Sequence, residues 1–177
     1  MKRTNLILLI GILVLLGAGA GAVVYLSDWK RRAELNAGDP LYGQLMAMLS
    51  AAETQFGIPT DLLARQAFEE SSFLPAVIDG SEPSSAGASG LMQFMPATAT
   101  ALGVNPLDPQ SAITGAATLM SQLFSQFGSW ALALAAYNAG PAAVIAAGNN
   151  VPAFPETQNY VSQILADVNA EGGAQIS

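Results

Sequence analysis

The chain contains no cysteine and no histidine. Those two absences remove thiol nucleophiles, disulfides, Ser-His-Asp triads and most zinc sites. They also leave no cysteine for lipid attachment near the N-terminus. Proton transfer must then fall to Asp, Glu, Tyr, Lys or water. Cations are almost as scarce. Five of the six are Lys2, Arg3, Lys30, Arg31 and Arg32, and only Arg65 lies further on. From residue 33 twelve acids face that one base, a net of −11. Such a surface is a poor partner for nucleic acid, and its plain reading is solubility. No internal repeat and no alternating β-branched run is visible.

What is present begins with one long apolar run. Leu6–Leu26 holds no charged residue and, as a helix rising about 1.5 Å per residue, would span roughly 30 Å of hydrocarbon. Lys2-Arg3 precede it; Tyr25, Trp29 and Lys30-Arg31-Arg32 follow, residue types found at a membrane interface. Gly17, Gly19 and Gly21 would let a partner helix approach closely. The expectation is a short basic N-terminus (1–5), a single transmembrane helix (6–26) and a juxtamembrane linker (27–40). The rival reading is a cleaved signal peptide with a small-residue site at Ala18–Ala20 or Ala20–Ala22.

From Leu41 the pattern is helical, punctuated by Gly and Pro. The spacing predicts a helix over 41–56 with Leu41, Leu45, Met48, Leu49 and Ala52 inward, ended by Gly57. A second runs from about Thr60 to Ser71. Others open at Pro96, at Asp108-Pro109, at Ser129 as a cap for Trp130–Asn138, at Pro141 and at Glu156. The fold class read from this is mainly α, one helical domain over 41–170 with a tail at 171–177.

The residue that carries chemistry best is Glu70. Its neighbour Glu69 lies four residues after Arg65, where an exposed ion pair is available. Glu70 instead follows Leu63, Gln66 and Ala67 on the more buried stripe. Burial and a helix C-terminus both disfavour the anion, so the acid can hold a proton near neutral pH. The bland alternative is a helix-end glutamate bonded to the next turn. Beyond it, Gly87-Ala88-Ser89-Gly90 allows close backbone approach, Gln93 offers an amide, and Met92 and Met95 offer apolar surface. Ala136-Tyr137-Asn138-Ala139-Gly140 places a phenol and an amide at a helix end.

In order, Glu70–Phe73, Gly87–Thr98, Leu102-Gly103-Val104, Asp108-Pro109, Ala133–Pro141 and Glu156–Val161 resemble the motifs of the family-1 lytic transglycosylases. These are lysozyme-like domains that cleave bacterial peptidoglycan, and the resemblance covers about residues 56–168. It implies Glu70 as catalytic acid and base. It implies Ser84 (Ser85 is the alternative match), Gly90, Met92, Gln93, Tyr137 and Asn138 along the sugar groove, and Glu156 as a supporting acid. It also implies a non-hydrolytic cut between N-acetylmuramic acid and N-acetylglucosamine, closing a 1,6-anhydro ring, with no metal or organic cofactor. The expected partners are peptidoglycan glycan strands and, through residues 6–26, a lipid bilayer. The expected location is outside the cytoplasm, on a cell membrane or the internal membrane of a phage particle. Two alternatives stay open. One is a goose-type-lysozyme-like hydrolase whose water is activated by Asp79 or Glu82 on the extended 79–85 loop. The other is a non-catalytic wall-binding or virion structural protein of the same fold.

Overall fold

The structure, a computed structural model, describes Trp29, residues 40–82 and 84–170, and Ile176. Among the described residues from 40 on, eight helices follow in chain order: α1 (Pro40–Phe56), α2 (Leu62–Ser71), α3 (Pro75–Ile78), α4 (Pro96–Leu102), α5 (Pro109–Phe127), α6 (Trp130–Ala139), α7 (Pro141–Ala146) and α8 (Pro155–Ala170). Strand pairing among the described residues is confined to one antiparallel bridge, Ser89 with Phe94.

Local chemistry sets the helix starts. Asp108 accepts from Gln110 N at 3.1 Å with Pro109 behind it, and Ser129 accepts from Leu132 N at 3.4 Å, each satisfying an amide that lacks a helical partner. α2 departs from this scheme. Asp61 has φ 68° and its side chain caps nothing. The cap comes from α1: Glu53, 3% exposed, accepts from Asp61 N at 3.0 Å, Leu63 N at 2.9 Å and Ala64 N at 3.1 Å. Glu53 is therefore the bolt between α1 and α2.

The centre of the domain is α6. It packs on α5, α7 and α8, while α2 packs on α1 and α8. Ala133, Leu134, Ala135 and Ala136 are all at most 2% exposed; small side chains all round let neighbours approach closely. On α1 the buried stripe is Tyr42, Leu45, Leu49, Ala52 and Glu53, and Leu41 is left 41% exposed.

Residues 6–26, with Gly17, Gly19 and Gly21, lie outside the described residues. No helix among the described residues is long and apolar enough to cross a membrane. Trp29 corrects one expectation. It is 1% exposed and belongs to the domain's hydrophobic core, not to a linker or a lipid interface. An indole removes so much apolar surface from water when buried that the core outcompetes the interface for it.

Candidate active site

α2 ends abruptly just beyond Glu70. Ser72 and Phe73 take φ 50° and 52°, a costly conformation for a bulky side chain. What holds them is local. Ser72 N bonds Phe68 O at 2.8 Å, and Phe73 N bonds Ser71 Oγ at 3.2 Å. The Phe73 ring is buried edge-on against Tyr42, 5.4 Å between centroids. Turning the chain there leaves Glu70 on the last turn, over the fully buried Leu63, Gln66 and Ala67.

Glu70 is half-buried, and Tyr160 on α8 donates its hydroxyl to Glu70 Oε1 at 2.6 Å. Burial pushes the Glu70 carboxyl up to about 7. The Tyr160 bond pulls it down, and the charges of Glu69 and Glu156 push it further up. Burial, with Glu70 nearby, holds the Tyr137 and Tyr160 phenols well above their usual range, so both stay hydrogen-bond donors. Gln66, one turn before Glu70, is fully buried beside Tyr160.

Arg65 is not in an exposed pair. It is 4% exposed and forked, with Nη1 donating to Glu69 at 2.7 Å and Nε to Asp167 at 2.6 Å. The fork ties α2 to α8, the two helices that carry Glu70 and Tyr160. It also commits the guanidinium to other acids, so among the described residues no cation stabilises the Glu70 anion.

Glu70 opens on a cleft of about 260 Å³ lined by Glu69, Glu70, Asn138, Glu156, Asn159 and Tyr160. Asn138 Oδ1 accepts from Thr157 Oγ at 2.7 Å, which fixes the amide and leaves its nitrogen for a ligand. Glu156 is exposed on the rim. Two further acids therefore share the cleft with Glu70: its neighbour Glu69, and Glu156, the acid expected to support it. The loop acids are elsewhere. Asp79 accepts from Ser81 N and Oγ, and neither it nor Glu82 lines the cleft. A larger cavity of about 420 Å³ between Val104 and Thr118 holds one acid, Asp108, which is the α5 cap.

The Gly-rich turn is a tongue closed by the Ser89–Phe94 bridge. Tyr137 pins it to α6, donating to Met92 O at 2.8 Å. Two groove expectations fail here. Met92 is fully buried, so its side chain is core and only its carbonyl serves the site. It is Met95, 46% exposed, that presents sulfur to solvent. Gly90 is buried too: a Cβ there would lie 1.7 Å from Pro106 O, so this glycine admits backbone, not sugar. Gln93, at φ 47°, donates from Nε2 to Gly90 O at 2.9 Å and keeps its carbonyl oxygen. Ser84 accepts from Ala88 N at 2.9 Å and closes the base of the tongue. Ser84, Gly90 and Gln93 lie outside the lining of the Glu70 cleft.

Residues 47–160 match the transglycosylase SLT domain. The chain belongs to that family. Among relatives of this SLT domain is a transglycosylase of Enterobacteria phage PRD1, 34% identical over 122 residues, covering 68% of this chain and 42% of that protein. Another is the soluble lytic murein transglycosylase of Escherichia coli, 34% identical over 134 residues, covering 62% of this chain and 20% of that one. The chain thus spans less than half the length of these curated relatives. The 70 kDa soluble lytic transglycosylase of Escherichia coli superposes with a TM-score of 0.61 at 27% identity, over 80% of this chain and 27% of that one. An inactive Glu-to-Gln mutant of the Pseudomonas aeruginosa lytic transglycosylase Slt gives 0.59 at 28% identity, over 76% and 24%. The SLT fold is therefore the lysozyme-like helical fold that the motif order implied.

Two groups, Tyr160 at the site and Glu53 away from it, were not assigned from sequence. Tyr160 sits inside the quoted Glu156–Val161 motif, four residues after Glu156, and its place on the buried stripe of α8 was the available signal. Glu53 gave none, because its partners lie on another helix.

Proposed function

We propose that this chain is a membrane-anchored lytic transglycosylase that cuts peptidoglycan glycan strands outside the cytoplasm. The observation that carries the reading is the state of Glu70: an acid whose pKa burial raises to about 7, touched by one phenol and, among the described residues, by no cation, and open to a cleft that also holds the amides of Asn138 and Asn159 and the carboxyl of Glu156. Protonated, Glu70 gives its proton to the glycosidic oxygen as the bond to the muramic anomeric carbon breaks. The sugar's own N-acetyl group supports that carbon. The Glu70 carboxylate then takes the proton of the muramic C6 hydroxyl, and C6 oxygen closes the 1,6-anhydro ring. One residue is acid and then base, which requires a pKa near the working pH. The names of the relatives, a murein transglycosylase and a phage transglycosylase, support the substrate class. They leave both settings in play, cell envelope and virion. Ser84, Gln93, Tyr137 and Asn138 serve as the groove's polar wall in this reading, Tyr137 and Ser84 through the backbone they hold.

Mass spectrometry of digested sacculi tests the chemistry. Anhydro-muropeptides are expected, and Glu70→Gln should produce none. A second reading is favoured by Glu156 on the rim of the same cleft: a hydrolase in which that carboxylate activates water. Reducing-end muramic acid in the products, lost on Glu156→Gln, would select it. For the anchor, the C-terminal domain should be cut by protease added to intact spheroplasts or particles, and protection would reject the topology.

A further inference from the structure

The reading of residues 6–26 as a retained span leaves the height of the domain above the bilayer open. Thirteen residues separate Leu26 from Pro40, and the fourteen Cα steps between them reach about 50 Å when extended. The structure removes most of that freedom. Trp29 is 1% exposed in the same core cluster as Tyr42, Leu45 and Phe73. Only Ser27 and Asp28 separate it from Leu26, three Cα steps that reach about 10 Å at most. The headgroup layer takes up roughly 6 Å of that on each side of the hydrocarbon.

We infer that Trp29 is a latch: it fastens the chain leaving the apolar segment directly into the catalytic domain, so that the domain rides on the lipid headgroups. Residues 30–39 then set no distance to the bilayer, since they connect Trp29 to Pro40 and both belong to the domain. Lys30-Arg31-Arg32 directly follow the latch in sequence, and three cations there offset the repulsion of the twelve acids for anionic headgroups. The glycan within reach is the membrane-proximal face of the wall. This rests on the anchor proposed above, and the test separates the two.

The full chain contains no cysteine, so Ser125→Cys, at an exposed position of α5, gives a single site for a donor dye. The labelled protein is reconstituted in phosphatidylethanolamine–phosphatidylglycerol vesicles carrying an acceptor lipid, and energy transfer reads the height. A flexible Gly/Ser insertion of 24 residues, about 27 Å in mean span, is placed either between Leu26 and Ser27 or between Ala33 and Glu34. The first should lower transfer; the second should leave it at the parental value. Adding Trp29→Ala to the second should lower transfer to the level of the first, while Trp29→Phe should not, with circular dichroism verifying that each domain is folded. If both insertions lower transfer alike in vesicle-bound protein, the latch is wrong and the anchor stands. If the chain does not float with vesicles, the anchor is wrong and the latch has no membrane to hold.

Discussion

Glu53 and Glu70 make an instructive pair. Both are glutamates near helix ends, both are withdrawn from water, and burial pushes both up to about 7. Their surroundings differ. Glu53 is sealed by three backbone N–H groups of the next helix and opens on nothing. Glu70 has one phenol and a cleft. A raised pKa therefore marks burial, and unspent hydrogen-bonding capacity in front of a cavity is what marks chemistry. One acid bolts two helices together; the other keeps a face for substrate.

The contrast breaks most sharply at Glu70. Glu70→Gln should cut the release of muropeptides from sacculi by about 100- to 10,000-fold and leave the melting temperature close to wild type. Glu53→Gln should do the reverse. It leaves an amide donor facing backbone donors, at about 1–3 kcal/mol for each group stranded. A melting temperature lower by roughly 8 °C is expected, at about 4 °C per kcal/mol for a domain of this size. Activity per folded molecule at low temperature should be retained. If Glu53→Gln is inactive while fully folded, the division of labour is wrong.

Smaller effects sharpen the comparison. Tyr160→Phe removes the one bond that lowers the Glu70 pKa. The pH at which activity falls off on the alkaline side should move up by about one unit or less, read from the pH profile of sacculus lysis. Stability gives the last test. A carboxyl whose folded pKa exceeds its unfolded value adds stability in full below about pH 4.5. That contribution fades as pH rises through 7. Wild type should therefore lose more melting temperature between pH 5 and pH 8 than Glu70→Gln does, by a few degrees in a calorimetric scan. An equal loss would show that Glu70 does not titrate in that window.

Much of this was legible because it is local. The caps at Asp108 and Ser129 and the prolines at 96, 109 and 141 lie next to the helices they start. Glu70 stood apart from Glu69 because both Arg65 and the buried stripe are on the same helix. What escaped was set by contacts distant in sequence. The Glu53 cap joins residues eight to eleven apart across a turn, the Arg65 fork closes on Asp167, and Trp29 leaves its segment for the core. α3 has only four residues, too short for a periodic pattern. Met92 and Gly90 were placed on the groove because a tongue pattern does not say which side chains point down. A carbonyl from Pro106 and a phenol from Tyr137 decide that.

The Arg65 fork has a consequence for encounter. It spends internally the one cation that the sequence carries beyond residue 32. The proposed glycan substrate then meets no unpaired cation on the described domain, so long-range steering by that domain adds nothing to the on-rate. Affinity at the cleft has to be won at short range, by hydroxyls and amides, and capture then scales with how often strand and cleft collide. Confining the domain to a surface raises that frequency without any added contact. If the proposed anchor holds the chain on a membrane, cutting by the membrane-bound chain should depend less on salt than cutting by the free domain does.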